Sequence, residues 1–195
     1  MTTRRVSVHL SFLAAAGLTV LPWAASAEVE NYELDPGHSF VTFSISHLGY
    51  SMLQGRFNAL EGSFQYDTEN PSASSIKVMI DPASVDTNHA ERDKHLRGED
   101  FLDVTKFPEA SFESTAFEES GDMAKLTGNL TLHGVTKPVT IDAKFVGAGK
   151  DPWGGYRRGY RGTTTLKRSD FDISYNLGPA SEDMTLELNI EGIRQ

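Results

Sequence analysis

The sequence predicts an all-β fold, an eight-stranded antiparallel barrel with one short helical insertion around residues 88–103. Three observations carry that expectation. Apolar and polar residues alternate over run after run, the period of a strand with one buried face. Turn-forming pairs separate the runs at short intervals, as a meander of antiparallel strands requires. One stretch, residues 84–104, breaks the alternation and carries helix-boundary signals. A closed ring of eight strands leaves no exposed edge, and its interior is filled by side chains or holds one small ligand. A two-sheet sandwich satisfies the same pattern.

The front of the chain reads as an export leader. Arg4 and Arg5 precede a mostly apolar 12-residue run, residues 10–21, which stops at Pro22. Ala25-Ser26-Ala27 then supplies the small residues of a cleavage site, predicting Glu28 as the mature N-terminus. The run is shorter than the ~20 residues of a spanning helix, which argues against an uncleaved anchor. Thr3-Arg4-Arg5 resembles a twin-arginine signal, but Ser7, Val8 and His9 fit its later positions poorly, so ordinary secretion is expected. With no cysteine in the chain, neither a lipoprotein anchor nor a disulfide is available.

Residues 28–195 are expected to form a single domain with a real core. Removing Arg4 and Arg5 leaves 16 basic against 27 acidic residues, a net charge of −11. That excludes the basic footprint a nucleic-acid partner needs.

Val41, Phe43 and Ile45 open the strand pattern. In residues 56–66, Leu60, Gly62, Phe64 and Tyr66 share a parity that Phe57 does not, which predicts a bulge or bend. Ile76, Val78 and Ile80 follow, then a strand over residues 110–117. Leu126, Leu130 and Leu132, then Val139, Ile141, Ala143 and Phe145, and finally Leu186, Leu188 and Ile190 continue the alternation. Asn70-Pro71, His133-Gly134, Pro152-Trp153-Gly154-Gly155 and Gly178-Pro179 mark turns, which leaves His133 exposed.

The helical insertion concentrates reactive residue types. Asn88 suits the N-cap with Glu91 three residues on, and Gly98 suits the position where the chain leaves the helix. His89–Asp93, Glu91–His95 and Asp93–Arg97 are spaced as i,i+4 pairs, enough to support a polar helix without any reaction. His89 and His95 lie six residues apart, about 120° around the axis, which does not suit a shared metal. Phe101, Leu102, Val104 and Phe107 are expected to anchor the excursion. No G-x-S-x-G, phosphate-binding loop or G-x-G-x-x-G occurs, and acidic pairs such as Glu118-Glu119 and Glu99-Asp100 are assigned to solvated loops or turns. Neither a catalytic residue nor a metal ligand is nominated. Residues 150–168 carry six basic side chains against Asp151, with Arg157 and Arg161 on one strand face and Arg158 and Tyr160 on the other. An inward arginine there would suit an anionic group at a barrel mouth.

Taken together, Asp35-x-x-His38-Ser39-Phe40, Ser46-His47-Leu48-Gly49-Tyr50, Gly55-Arg56-Phe57 with Gly62, residues 84–102 and Phe107-Pro108 form an ordered set. Gly128-Asn129-Leu130, residues 132–139, Asp151-Pro152-Trp153-Gly154-Gly155 and Lys167-Arg168-Ser169-Asp170-Phe171 complete it. In this order and spacing the chain, over nearly all of residues 30–193, resembles the periplasmic YceI-like proteins, polyisoprenoid-binding relatives of the lipocalins. Many members carry glycine after the Asp-Phe pair, where this chain has Asp172. The resemblance implies a lipocalin-like barrel holding a long isoprenoid lipid or quinone tail, a periplasmic location and no enzyme activity.

Strand parity nominates the lining: Phe43, Ile45, Phe64, Ile76, Val78, Ile80, Phe112, Leu130, Leu132, Ile141, Phe145, Leu186 and Leu188. The same residues would equally fill a solid core. His47, His95 and Arg158 are the head-group candidates. The expected function is a periplasmic carrier of a polyprenyl chain or isoprenoid quinone, with no cofactor beyond that lipid. Two alternatives stand beside it. One is an enzyme acting on the lipid through His47 or His95 as general base. The other is an accessory module for a quinone-handling membrane protein, a transient partner drawn by the −11 charge.

Overall fold

The structure, a computed structural model, describes Met1 and residues 28–195. Apart from Met1, the leader expected over residues 1–27 lies outside the described residues. Among the described residues, eleven strand segments make one antiparallel sheet. They are β1 (Val29–Leu34), β2 (Phe40–His47), β3 (Ser51–Phe57), β4 (Leu60–Asp67), β5 (Ser75–Ile80) and β6 (Val85–Asp86), then β7 (Ala110–Ser120), β8 (Met123–Leu132), β9 (Val135–Lys150), β10 (Tyr156–Lys167) and β11 (Asp183–Arg194). Helix α1 (Ala90–Leu96) lies between β6 and β7.

Three pairs of segments are single strands interrupted by a kink. β1 continues as β2, β3 as β4 and β5 as β6, and antiparallel pairing resumes on both sides of each break. Eight strands result, in up-and-down order. The last closes on the first, because residues 184–189 of β11 pair with β2 and residues 192–194 pair with β1. The sheet returns to its start, so the fold is the expected eight-stranded barrel and not the sandwich.

The kinks sit side by side and are tied together. Asp35 accepts the Gly37 amide and Asp81 that of Ala83, both at 2.8 Å, folding the chain locally at two of them. At the middle kink the Ala59 amide donates to Ser84 Oγ at 3.0 Å and the Asn58 amide to the Ser84 carbonyl at 3.2 Å. The bend expected over residues 56–66 is therefore one part of a fold line across three strands.

A cage of charges seals the closing seam on the outside. The Arg157 guanidinium donates to Asp35 Oδ2 at 2.6 Å, to Asp151 Oδ2 at 2.8 Å and to Glu191. It thereby links the first kink to β10 and β11. Arg157, and then His38 at 2.8 Å, hold the Asp35 carboxyl down to about 2 from an ordinary 3.8.

The opposite flank is finished by side chains. β6 pairs with β3 alone, and β7 meets β5 only through residues 77–80, so the lower edge of the third strand has no backbone partner. Arg97 fills that place: Nε donates to the Ala83 carbonyl at 2.7 Å and Nη2 to the Val85 carbonyl at 3.1 Å. Arg92 does the same for the Thr87 carbonyl at 2.7 Å. A buried carbonyl edge must find donors, and here a docked helix brings them.

This docking overrides the local pairing expected of the helix. Asp93 is buried and accepts both the amide (2.9 Å) and the hydroxyl of Thr87. His95 pairs with Asp100 at 2.9 Å, and Arg97 reaches the edge carbonyls, so the expected i,i+4 pairs give way to partners elsewhere. The cap is also displaced by one residue. His89 is the N-cap, its Nδ1 accepting the Arg92 amide at 3.2 Å, while Asn88 takes a left-handed turn at φ 60°. Regular helix stops at Leu96, shorter than the insertion expected, and Gly98 follows the cap as expected. Phe101 is buried at its foot.

Several turns carry left-handed residues, two of them at positions the sequence singled out. His133 (φ 51°) and Gly134 (φ 73°) form the two-residue loop between β8 and β9, the geometry a tight hairpin favours. His133 is half-buried rather than exposed, because its ring packs on Phe107 and its Nδ1 bonds the Phe171 carbonyl at 3.1 Å. Asp172 sits at φ 57°, a conformation suited to glycine and tolerated by aspartate.

Two outcomes follow from the seam and the edge. Arg97→Met strips donors from two edge carbonyls, and urea unfolding should show a loss of about 1–3 kcal/mol. Because the Asp35 pKa is depressed, its contribution is present above its ordinary 3.8 and is lost as the pH falls toward about 2. Thermal melts across that range should show an acid limb that Arg157→Met flattens, with a lower melting temperature at neutral pH.

Candidate functional site

Inward-facing residues of the eight strands enclose an apolar tunnel made of two chambers. The upper chamber, about 120 Å³, is walled by Phe64, Ile76, Val78, Phe112, Ile141 and Leu188 among others. The lower chamber, about 400 Å³, lies under α1 and is walled by Phe43, Ile45 and Leu132 with Leu96, Phe101 and Ile173. Val41, Ile80, Leu130 and Leu186 belong to both walls, so the chambers meet end to end.

The lumen stays open because large rings lie flat against the wall. A Cβ added at Gly55 would stand 2.3 Å from the Phe43 ring, at Gly192 2.4 Å from Phe64, and at Gly128 2.4 Å from Phe112. Phe43 and Phe112 thus rest on the adjacent strand, and Phe64 reaches across β1 to β11, each where a glycine leaves room. Were these positions occupied, the rings would have to turn inward.

Of the thirteen residues nominated from parity, twelve stand in these walls. Phe145 does not. It faces inward as its parity predicts but lies beyond the upper chamber, its ring 5.5 Å from that of Tyr160 and 5.2 Å from the Arg158 guanidinium. The nomination omitted Val41, Leu126, Val139 and Ile190, which share parity with the residues it named and which also line the tunnel. It omitted Phe101, Leu166, Ile173 and Leu177 as well; only Leu166 lies in a strand, and parity has no purchase on the other three.

The three head-group candidates are not together. His47 and His95 border the lower chamber, where the His95 ring meets Phe101 edge-on at 5.0 Å and Tyr175 at 5.5 Å. Arg158 lies at the opposite end, near the start of β10, facing inward with Tyr160 as the alternation predicted. Its guanidinium sits 3.4 Å from the centre of the Tyr66 ring and donates through Nη1 to the Tyr160 hydroxyl at 3.0 Å. Around it Tyr66 donates to Glu119 at 2.9 Å, while Glu30 accepts from Tyr32 and from Arg194, both at 2.6 Å. Glu119 therefore belongs to a strand and an interior bond, not to the solvated loop expected for it. Burial pushes the Tyr32 hydroxyl up to about 12, and Glu30 beside it acts in the same direction.

Chemically the tunnel offers hydrocarbon contact. Among the described residues no carboxylate stands in either chamber's wall. Asp35, His38 and Glu191 come close enough to share an ion, but they lie outside the barrel and Arg157 already bonds Asp35 and Glu191.

Known proteins share this architecture. The YceI-like domain family matches residues 32–192. A UPF0312 protein of Pseudomonas aeruginosa (strain LESB58) is 58% identical over 186 residues, covering 94% of this chain and 97% of its own. The YCEI protein of Campylobacter jejuni superposes with a TM-score of 0.69 at 31% identity, over 77% of this chain and 90% of its own. A polyisoprenoid binding domain from Saccharophagus degradans superposes with a TM-score of 0.63 over 84% of this chain and 98% of its own; at 18% identity that likeness is one of fold.

The ring-on-glycine packing is directly testable. Gly55→Ala should turn Phe43 into the lower chamber, cost about 1–3 kcal/mol in urea unfolding and reduce uptake of an apolar fluorescent probe. Gly147→Ala, where an added Cβ meets nothing within 4 Å, should change neither.

Proposed function

This chain belongs to the YceI-like family, and on that premise we propose that it is a lipid carrier, holding a long isoprenoid chain or isoprenoid quinone within the barrel in the periplasm. The two adjoining apolar chambers within the barrel are the observation that carries the proposal. A long, flexible hydrocarbon is insoluble in water, and each buried methylene contributes about 0.8 kcal/mol, so a chain filling two joined chambers gains enough to offset its lost rotational freedom. The Saccharophagus degradans domain, described as polyisoprenoid-binding, supports the choice of lipid class.

Binding accounts for the site better than catalysis does. The upper wall is almost entirely hydrocarbon, and the titratable groups lie at the tunnel's ends or border the lower chamber. His95 borders the lower chamber, but its partner Asp100 is on the exposed surface, an arrangement that also fits an ordinary surface pair.

Organic extraction of protein purified without detergent should release a long-chain isoprenoid, identified by mass spectrometry. Cell fractionation should recover the protein with the periplasmic contents. An empty extract, together with failure to take up added polyprenols or quinones, would overturn the carrier role.

A further inference from the structure

Arg158 stands apart from the other inward or buried arginines. Arg168 is buried and spends its guanidinium on the carbonyls of Ser181, Ile173 and Tyr175. Arg97 caps two edge carbonyls, and Arg194 pairs with Glu30. Arg158 has no bonded carboxylate. One of its nitrogens donates to Tyr160, its flat face lies on Tyr66, and its Nε is buried with no partner at all. The nearby carboxylates are engaged elsewhere, Glu119 by the Tyr66 hydroxyl and Glu30 by Tyr32 and Arg194.

An unmet buried donor costs about 1–3 kcal/mol, more on a charged group, and native proteins keep few of them. Its location suggests what it serves. Tyr66 and Tyr160, which hold Arg158, stand in the wall of the upper chamber and not in that of the lower. A chain lying in the tunnel therefore ends against this pair, with Arg158 just beyond. His47 and His95 are at the other end and cannot meet the same head group when the tail fills the tunnel between them.

We propose that Arg158, in its collar of Tyr66, Tyr160 and Phe145, binds an oxygen acceptor on the head group of the cargo, through the free Nε. This rests on the carrier role above and adds to it an orientation. The head group lies at the Arg158 end, and the tail runs down past Ile141 and Leu130 into the chamber beneath α1. The aromatic collar excludes water and strengthens the bond. A quinone carbonyl and a phosphate oxygen both have the required chemistry.

The test uses lipid-stripped protein and three probes with equal numbers of isoprene units: a prenyl quinone, a prenyl diphosphate and the unsubstituted hydrocarbon. Binding is followed by quenching of intrinsic fluorescence. At least one headed probe should bind about tenfold tighter than the hydrocarbon, and Arg158→Met should abolish that advantage while leaving hydrocarbon binding intact. Whichever headed probe shows the Arg158-dependent gain identifies the oxygen. If Arg158→Met lacks a cooperative melt, Arg158→Lys, which keeps the charge but has no Nε donor, is read in its place and should lose most of the gain. Equal binding of all three probes, or a gain that survives the substitution, overturns the head-group site and leaves the carrier role standing. Failure of all three probes to bind overturns the carrier role itself.

Discussion

The ring closes because one strand is shared by two halves of another. β11 pairs with β2 along one stretch and with β1 along the next, and this is possible only because residues 35–39 loop out between them. The bend must then be matched by the second and third strands, or the ladders would fall out of register. Asp35, Pro36 and Gly37 at the first break and Asp81 and Pro82 at the third supply the turn chemistry, and Ser84 stitches the middle one to its neighbour. Arg157 fixes the closure from outside by gathering carboxylates from the first break, the last strand and the turn before β10. Every interior position takes its direction from this closure.

Closure alone would give a solid core, since eight strands enclose little space. The tunnel comes from pairing large with absent. Phe43, Phe64 and Phe112 lie on Gly55, Gly192 and Gly128, which keeps three bulky rings out of the axis. The aliphatic residues between them then line a passage instead of meeting across it. The same rings also cover main chain that glycine leaves bare, so packing and vacancy arise from one device.

Much of this was legible in the sequence because strand parity is a local property. Ile76, Val78 and Ile80 face inward for the reason they alternate, and no distant residue alters that. Phe145 escaped because parity gives a side chain's direction and not its depth: it faces inward, but beyond the chamber, against Arg158 and Tyr160. The helix was the least legible element. Its charges are spaced for one another, yet Asp93 and Arg97 bond to residues 87, 83 and 85, since a bare strand edge is a stronger attraction than an exposed pair. Glu119 and His133 were misplaced for a related reason: both are polar residues half-buried by partners distant in sequence, Tyr66 in one case and Phe107 and Phe171 in the other. The inward direction of Arg158 was readable from alternation, but its missing partner was not.

The edge at β6 gives the wall an unequal strength. Along most of the circumference adjacent strands are zipped by ladders of backbone bonds that must break together. Between β6 and β7 the joint is a latch, made of a docked helix, a few arginine donors and the foot of Phe101. A latch releases without unzipping anything beside it. The weakness is local: above the latch β5 and β7 are laddered through residues 77–80, so the wall's weakest joint is confined to the stretch beneath α1.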